Sequence, residues 1–412
     1  MAEHRVAITG MGIIAPLGIG AEPFWKALLE KKAGVAPLTR FDCSGFPTRI
    51  AAQVDDFDAT AFLSRRRIQW TDRFSQLAVA AARLAIDDAH FSVNGESGSV
   101  GVYTGSALGG LAFAEDQIEV FRREGLRSVR PLLSISVFGG AAASNVAIEF
   151  GITGPTIANS DSCAAGAIAI GEAYRAVKRG DMRAALAGGI EAPLAPLTFG
   201  AFTVARAMST RNEDPAAASR PFDAARDGFV MGEGAGMFVL ERYADAVARD
   251  ATIYAEITGF GTSNDAYHMS APLADGAQTA DAMQHALDEA QISPSEVEAL
   301  NAHGSSTKLG DRAETLAYDR IFGDRLREIP VSATKGQHGH ALGATGAWEI
   351  AISALSMRDG VIPGAINLER LDDCAIWCSR ESHQAKTRVV LSNSSGFGGI
   401  NAALVLLAAD AA

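Results

Sequence analysis

The feature that most restricts what this chain can fold into is that it echoes itself. Ile8-Thr9-Gly10-Met11-Gly12 and Ile257-Thr258-Gly259-Phe260-Gly261 each follow an alternating apolar stretch of strand type. Three more pairs follow in the same order. The strand pattern Val100 to Tyr103, running into Thr104-Gly105-Ser106, matches Val297 to Asn301, running into Ala302-His303-Gly304-Ser305. Thr156 to Cys163 and its following helix match Ile329 to His340 and its helix, and Ala184 to Ile190 matches Arg388 to Gly396. One glycine-rich strand end occurs in any α/β protein, whereas four in one order point to a duplicated unit. Phe74, Leu77, Ala78, Ala81, Leu84, Ala85 and Ala89 have the spacing of a helix with one buried face, and Leu273 to Ala290 is the counterpart. The expectation is an α/β fold of two duplicated halves, 1–250 and 251–412. The first half is longer, with insertions near 105–155 and 195–250.

A chain of 412 residues, 48% hydrophobic and 20% charged, can bury one large core or two comparable ones. The apolar run in Met1 to Gly20 is broken by Gly10, Gly12, Pro16 and Gly18, and no basic start or cleavage site accompanies it, so no signal peptide is expected. Ala402 to Ala408 is far shorter than a membrane helix needs, and a cytoplasmic location is the default. Four cysteines are too few for a disulfide framework, and Cys374 and Cys378 lack the second ligand pair of a zinc site. A net charge of −12 argues against nucleic acid as a partner. Any cationic function must then be local, and Arg65, Arg66 and Arg67 with Arg127, Arg130 and Arg206 are the candidates.

Cys163 follows a strand-like approach and precedes Ala164 to Ile170, a run of small residues with helical character. A thiol at a helix N-terminus sits where the dipole and free amides favour the thiolate. A buried structural thiol among alanines is the competing reading. His303 lies just past an apolar strand in a loop rich in glycine and hydroxyl residues, and Lys335 and His340 share another strand-to-helix junction. The His338-Gly339-His340 pair has no third ligand nearby to complete a metal site. If the halves pack face to face, these loops converge on one place. A thiolate to hold an acyl group and neutral imidazoles to stabilise an enolate oxygen are what a Claisen condensation needs. Gly396-Phe397-Gly398-Gly399-Ile400-Asn401 can supply a closely approaching backbone amide, its glycines otherwise marking a turn.

At these residues the chain resembles the thiolase-fold condensing enzymes, specifically the elongating β-ketoacyl-acyl-carrier-protein synthases. The resemblance covers essentially the whole chain. It includes Val6 to Gly12, Gly105 to Gly110, the Cys163 elbow, Arg220-Pro221-Phe222-Asp223, Gly232-Glu233-Gly234-Ala235-Gly236, His303, Lys335, His340 and the Gly396 to Asn401 turn. It implies a five-layered αβαβα fold and a dimer, with itself or with a related ketosynthase-like subunit. Cys163 is then the nucleophile, His303 and His340 support decarboxylation, Lys335 polarises the histidine site, and the Cys163 and Phe397 amides form the oxyanion hole. Phe397 gates the pocket, Leu108 and Phe202 line it, and Ser305 and Thr307 bind substrate. The arginine cluster matches the face that docks acyl carrier protein, whose phosphopantetheine carries the substrates, and no cofactor of the enzyme's own is implied. Asn301, Glu349 and Ser394 fall where some relatives hold a structural monovalent cation.

The chain also departs from the family pattern. Ser305 replaces a common threonine, Lys308 a common proline, Ser395 a second phenylalanine, and Asp161-Ser162 the usual Thr-Ala before the nucleophile. None removes a reacting group, but they leave a specialised polyketide, polyene or nodulation-factor-like acyl chain as open as a primary fatty acid. A degradative thiolase needs a second cysteine near the C-terminal glycine turn, and Cys374 and Cys378 precede the wrong segment. A chain-initiating synthase pairs cysteine with histidine and asparagine, and a chain-length-factor-like subunit lacks the nucleophile. A dinucleotide site fails because Ala15 occupies the third glycine position of G-x-G-x-x-G.

Overall fold

The computed structural model describes residues 3–93, 97–372 and 376–409, which leaves Cys374 outside the described residues. Its main sheet is built from β1 (Val6–Ala15), β2 (Val100–Gly105), β3 (Thr156–Asn159), β4 (Ala184–Glu191), β5 (Gly234–Arg242), β6 (Ala255–Asn264), β7 (Ala299–Asn301), β8 (Val331–Ser332), β9 (Val389–Gly396) and β10 (Ile400–Ala408). The strands run β8-β7-β9-β10-β6-β1-β5-β4-β2-β3, so the second half mirrors the first about the β6–β1 junction. Pairing repeats as well. β2 lies parallel to β3 and β4, as β7 does to β8 and β9, while β4–β5, β5–β1, β9–β10 and β10–β6 are all antiparallel.

The repeated Ile-Thr-Gly explains itself at this level. In β1 the register against β5 skips between Ile8 and Gly10, and in β6 the partners Ile257 and Gly259 bracket the same kind of skip against β10. The threonine in each gap turns its hydroxyl to a carbonyl of the neighbouring strand, Thr9 to Val239 and Thr258 to Val405. The glycines beyond the bulge admit a helix. A Cβ on Gly12 would stand 1.9 Å from the carbonyl oxygen of Ala81 on α1 (Arg73–Asp88). Within the second half, one on Gly261 would stand 2.1 Å from the carbonyl oxygen of Ala282, in the helix Ala277–Ala290.

Two central helices lie between the half-sheets. α2 (Ala165–Lys178) touches strands of both halves, and α5 (Thr345–Asp359) is buried without a break from Thr345 to Met357. α3 is the helix Ala277–Ala290, and with α4 (Lys308–Phe322) it covers the outer face of the second half, as α1 and the helix Ala141–Phe150 cover that of the first. The result is five layers, αβαβα. The N-terminal ends of α2 and α5 abut through glycine. A Cβ on Gly166 would stand 2.5 Å from the Gly343 carbonyl oxygen, and one on Gly189 2.2 Å from it.

The insertions fall where length asymmetry placed them, with one trim. Residues 106–155 carry the helices Leu111–Glu124 and Ala141–Phe150, and the long connection from β4 to β5 carries Pro196–Val204. The expected insertion at 195–250 ends earlier, because Gly234–Arg242 is β5 itself, whose counterpart β10 is reached by a tight hairpin. Among the described residues no helix is long and apolar enough to cross a membrane.

Candidate active site

Cys163 stands on a single 3-10 turn, Ser162–Ala164, that leads straight into α2. Ser162 takes the left-handed conformation, φ +55°, and this bend turns the thiol out of the helix axis toward the other half. There His340 meets it, with Nε2 3.1 Å from the Cys163 sulfur and Nδ1 3.1 Å from the Thr345 hydroxyl. The His303 ring stands perpendicular to that of His340, centroids 5.2 Å apart, and Phe229 packs edge-on at 5.4 Å from the other side.

The loop holding His303 is fixed from behind. Its own N–H and that of Gly304 donate to the Glu314 carboxylate at 2.6 and 2.8 Å, and the Tyr318 hydroxyl and Asn393 amide donate to the same group. Asp311, ion-paired with buried Arg226, accepts from the Ser306 and Phe222 backbone. The buried Lys335 ammonium donates to the His303 carbonyl oxygen and to the Glu349 carboxylate. His303 Nδ1 is itself buried with no hydrogen-bond partner among the described residues.

Burial and nearby positive charge decide the protonation states. Burial holds His303 and His340 well below the usual imidazole range, and the Lys335 charge adds to it in both. Both rings are therefore neutral near pH 7, as the sequence reading required. The thiol differs from that reading. Burial pushes Cys163 up to about 11, against the opposing Ser162 hydroxyl, the Lys335 charge and the Phe397 N–H. The resting group is thus a thiol, and His340 Nε2, 3.1 Å away, is the ring nitrogen that faces it.

These groups open onto one cavity of about 260 Å³, which Leu108, Phe202, Ser305, Thr307 and Phe397 also line. Phe202 stacks on Phe397 with centroids 6.0 Å apart and meets Phe229 edge-on. A Cβ on Gly396 would come 3.0 Å from the Cys163 nitrogen, so the glycine turn lies directly against the nucleophile's backbone. Ser395 also faces the cavity and donates to Asn401, where a phenylalanine would present only carbon.

The remaining candidates separate. His338 plays no part in the cavity. It sits against Trp348 and Phe24, bonds Thr334 and the Gly339 carbonyl, and is held at about 3 by burial. Arg65, Arg66, Arg127 and Arg206 are exposed, whereas Arg67 is committed to Glu149 and Asn145. Arg130 bonds the Gln69 carbonyl, bringing the two arginine segments together, and Arg206 precedes Ala207 of the cavity wall. Asn301, Glu349 and Ser394 do cluster: the asparagine Oδ1 is buried with no hydrogen-bond partner among the described residues, its amide donates to the Glu349 carbonyl oxygen, and the Ser394 hydroxyl donates to the Glu349 carboxylate. Sequence reasoning missed Glu314, Asp311, Thr345 and Phe229. The signal for the acids was present, since both lie on the buried face of a helix that follows a loop of hydroxyl residues.

Residues 3–246 match the β-ketoacyl synthase N-terminal domain family and residues 254–369 the β-ketoacyl synthase C-terminal domain family. The chain is 43% identical over 409 residues to a protein of Coxiella burnetii named 3-oxoacyl-[acyl-carrier-protein] synthase 2, covering 98% of this chain and 99% of that one. Among solved structures it resembles the ketosynthase of a type II polyketide synthase in complex with its acyl carrier protein, with a TM-score of 0.90 and 34% identity over 99% of this chain and 100% of that one. It also resembles the ishigamide ketosynthase/chain length factor, with a TM-score of 0.93 and 32% identity at the same coverage.

Proposed function

Because the chain belongs to the β-ketoacyl synthase family, we infer that its cavity carries out the decarboxylative Claisen condensation of an acyl thioester with malonyl-acyl-carrier-protein. The enzyme is an acyltransferase that lengthens a fatty-acid or polyketide chain by two carbons. The observation that carries the assignment of residues is the 3.1 Å contact between Cys163 and a neutral His340, with the His303 ring across from it.

The first half-reaction moves an acyl group. Cys163 gives its proton to His340, the thiolate attacks the thioester carbon, and the Cys163 and Phe397 N–H groups receive the oxyanion. The carrier-protein thiol then leaves with the proton from His340. Malonyl thioester enters next and loses CO₂, and the N–H groups of the neutral His303 and His340 rings, His340 now in the tautomer that carries its proton on Nε2, stabilise the enolate oxygen. The enolate carbon attacks the acyl group, and Cys163 departs as the thiolate and takes a proton from water to return to the resting thiol. Lys335 acts through position and charge, holding the His303 carbonyl and disfavouring protonation of both rings. A non-catalytic chain-length-factor role has no use for this constellation.

Substrates arrive on the phosphopantetheine arm of acyl carrier protein, docked by Arg65, Arg66, Arg127, Arg130 and Arg206. Local attraction of this kind overrides the repulsion expected from a net charge of −12. A monovalent cation, when bound, would be held by Asn301 Oδ1, Ser394 and Glu349, and would supply positive charge that steadies this strand-end cluster. A second copy of the chain, or a related ketosynthase-like subunit, covers the edge of β3. That strand is exposed along Thr156–Ala158, and Phe138, Ile148 and Ile157 stand exposed around it. Intact-protein mass spectrometry after incubation with a panel of acyl-acyl-carrier-proteins tests the assignment. An acyl adduct that maps to Cys163 supports it, and an adduct elsewhere or none refutes it.

A further inference from the structure

Glu191, the last residue of β4, is fully buried and forms no ion pair among the described residues. Its carboxylate is instead saturated by donors from two loops. Oε1 accepts the Ser106 hydroxyl at 2.9 Å and the Leu108 N–H at 3.1 Å. Oε2 accepts the Ala107 N–H at 2.7 Å and the Gly343 N–H at 3.0 Å. Ser106 in turn accepts the Gly109 N–H at 2.8 Å, which extends the hold to the glycine after Leu108.

The two loops have different work. Leu108 lines the cavity on the side expected to take the acyl chain, whereas Gly343 lies three residues beyond His340 and two before Thr345, the partner of the His340 ring. No side chain separates them, since a Cβ on Gly343 would stand 2.7 Å from the Ser106 Cα and 2.9 Å from Glu191 Oε2. An outward shift of Leu108 must stretch its bond to Oε1. The carboxylate is planar and rigid, so the rotation that follows the shift moves the oxygen on which Gly343 rests.

We propose that Glu191 is a positioning residue that couples the acyl-pocket wall at Leu108 to the His340 loop, so that the chain held in the pocket sets the alignment of the His340–Cys163 pair. This rests on the reading of Cys163 as the acylated nucleophile. An inert buried acid would do no more than fill space. The distinguishing property is that one carboxylate serves both loops.

The test is Glu191→Gln, which keeps the shape but turns one acceptor oxygen into an amide nitrogen that cannot accept, so that one loop loses its hold. Acyl transfer to Cys163 from a series of short to long acyl-acyl-carrier-proteins, and alkylation of Cys163 by iodoacetamide, are measured in parallel. The coupling predicts that the ratio of long-chain to short-chain kcat/KM shifts about fivefold or more, that alkylation slows, and that Leu108→Ala and Glu191→Gln are non-additive on that ratio. Equal loss at every chain length with unchanged alkylation, or strict additivity, overturns it. Should Glu191→Gln fail to fold, Ser106→Ala removes one donor alone and must shift the ratio in the same direction. An unchanged ratio there overturns the coupling as well. Wild-type protein without an adduct on Cys163 would refute the underlying function, whereas a normal adduct with an unchanged ratio refutes the coupling alone.

Discussion

Replacing Lys335 by Met strands a carboxylate in the core, and its cost follows from the surroundings of Glu349. Both groups are 1% exposed, and without the ammonium the Ser394 hydroxyl is the one side-chain donor left to Glu349 among the described residues. A partner stranded in this way costs roughly 3–5 kcal/mol. Proton uptake limits the loss. Burial already raises the carboxyl against the opposing Lys335 charge, and with that charge gone it rises further and the group is neutral at pH 7. Protonating an acid whose unfolded value is about 4.3 costs about 1.4 kcal/mol per pH unit, hence at most about 4 kcal/mol at pH 7 and about 1 at pH 5. The sign follows, since an acid raised in the folded state is most favourable below its unfolded value and loses stability as pH rises. In wild type the same carboxyl is already raised to about 7, so both proteins lose stability alike up to that pH, and urea unfolding of Lys335→Met should show a loss that changes little from pH 5 to pH 7 and grows above pH 7. The double variant Lys335→Met/Glu349→Gln should recover most of it at both pH values. Decarboxylation should stay low in the double variant, because the His303 carbonyl has lost its anchor. A loss that does not grow above pH 7, or a double variant no more stable than the single, would refute the pairing.

Three other outcomes follow from the same geometry. Ser162→Gly should relieve the left-handed strain and gain up to about 1 kcal/mol in thermal or urea unfolding, yet slow iodoacetamide alkylation of Cys163 by removing a hydroxyl that favours the thiolate. Buried neutral His303, His338 and His340 are depressed below their unfolded value of about 6.5, so their stabilisation is complete above that pH and is lost as pH falls. Melting temperature should drop from pH 6.5 to 4.5 with up to about 1.4 kcal/mol per pH unit from each histidine, and His338→Gln should flatten the slope by one of the three. Arg66→Glu should weaken turnover with carrier-protein substrates far more than with small thioester analogues at unchanged stability, whereas Arg67→Glu should also lower the melting temperature by breaking the Glu149 contact.

The duplication was legible because its marks are backbone requirements. A glycine on which a Cβ would stand 1.9 Å from a helix carbonyl oxygen, and a threonine that must bulge, leave the same letters in both halves. Cys163, His303, Lys335 and His340 were legible for a related reason, each lying where a strand ends and a helix or loop begins. The fifth strand pair, β5 with β10, was harder to see. Their connections differ, a long helical insertion in one half and a hairpin in the other, so no shared spacing marks them. The thiol's protonation state was not readable either, since it depends on burial supplied by both halves, which outweighs the Ser162 hydroxyl, the Lys335 charge and the Phe397 N–H. Glu191 escaped because an acid at a strand end gives no sign that three backbone amides and a hydroxyl will converge on it, whereas Glu314 and Asp311 had a signal, the buried face of the helix Lys308–Phe322, that the sequence reading did not use.

The account rests on a division of labour between the halves, with Cys163 carrying the acyl group and His303 acting on the malonyl enolate. The direct test follows the acyl-enzyme mass shift and CO₂ release from malonyl-acyl-carrier-protein side by side in Cys163→Ala and His303→Ala. The first variant should form no adduct and no condensed product while still releasing CO₂. The second should still acylate Cys163, which keeps its His340 contact at 3.1 Å, and should release little CO₂. A folded Cys163→Ala protein that condenses, or a His303→Ala protein that decarboxylates at the wild-type rate, would contradict it.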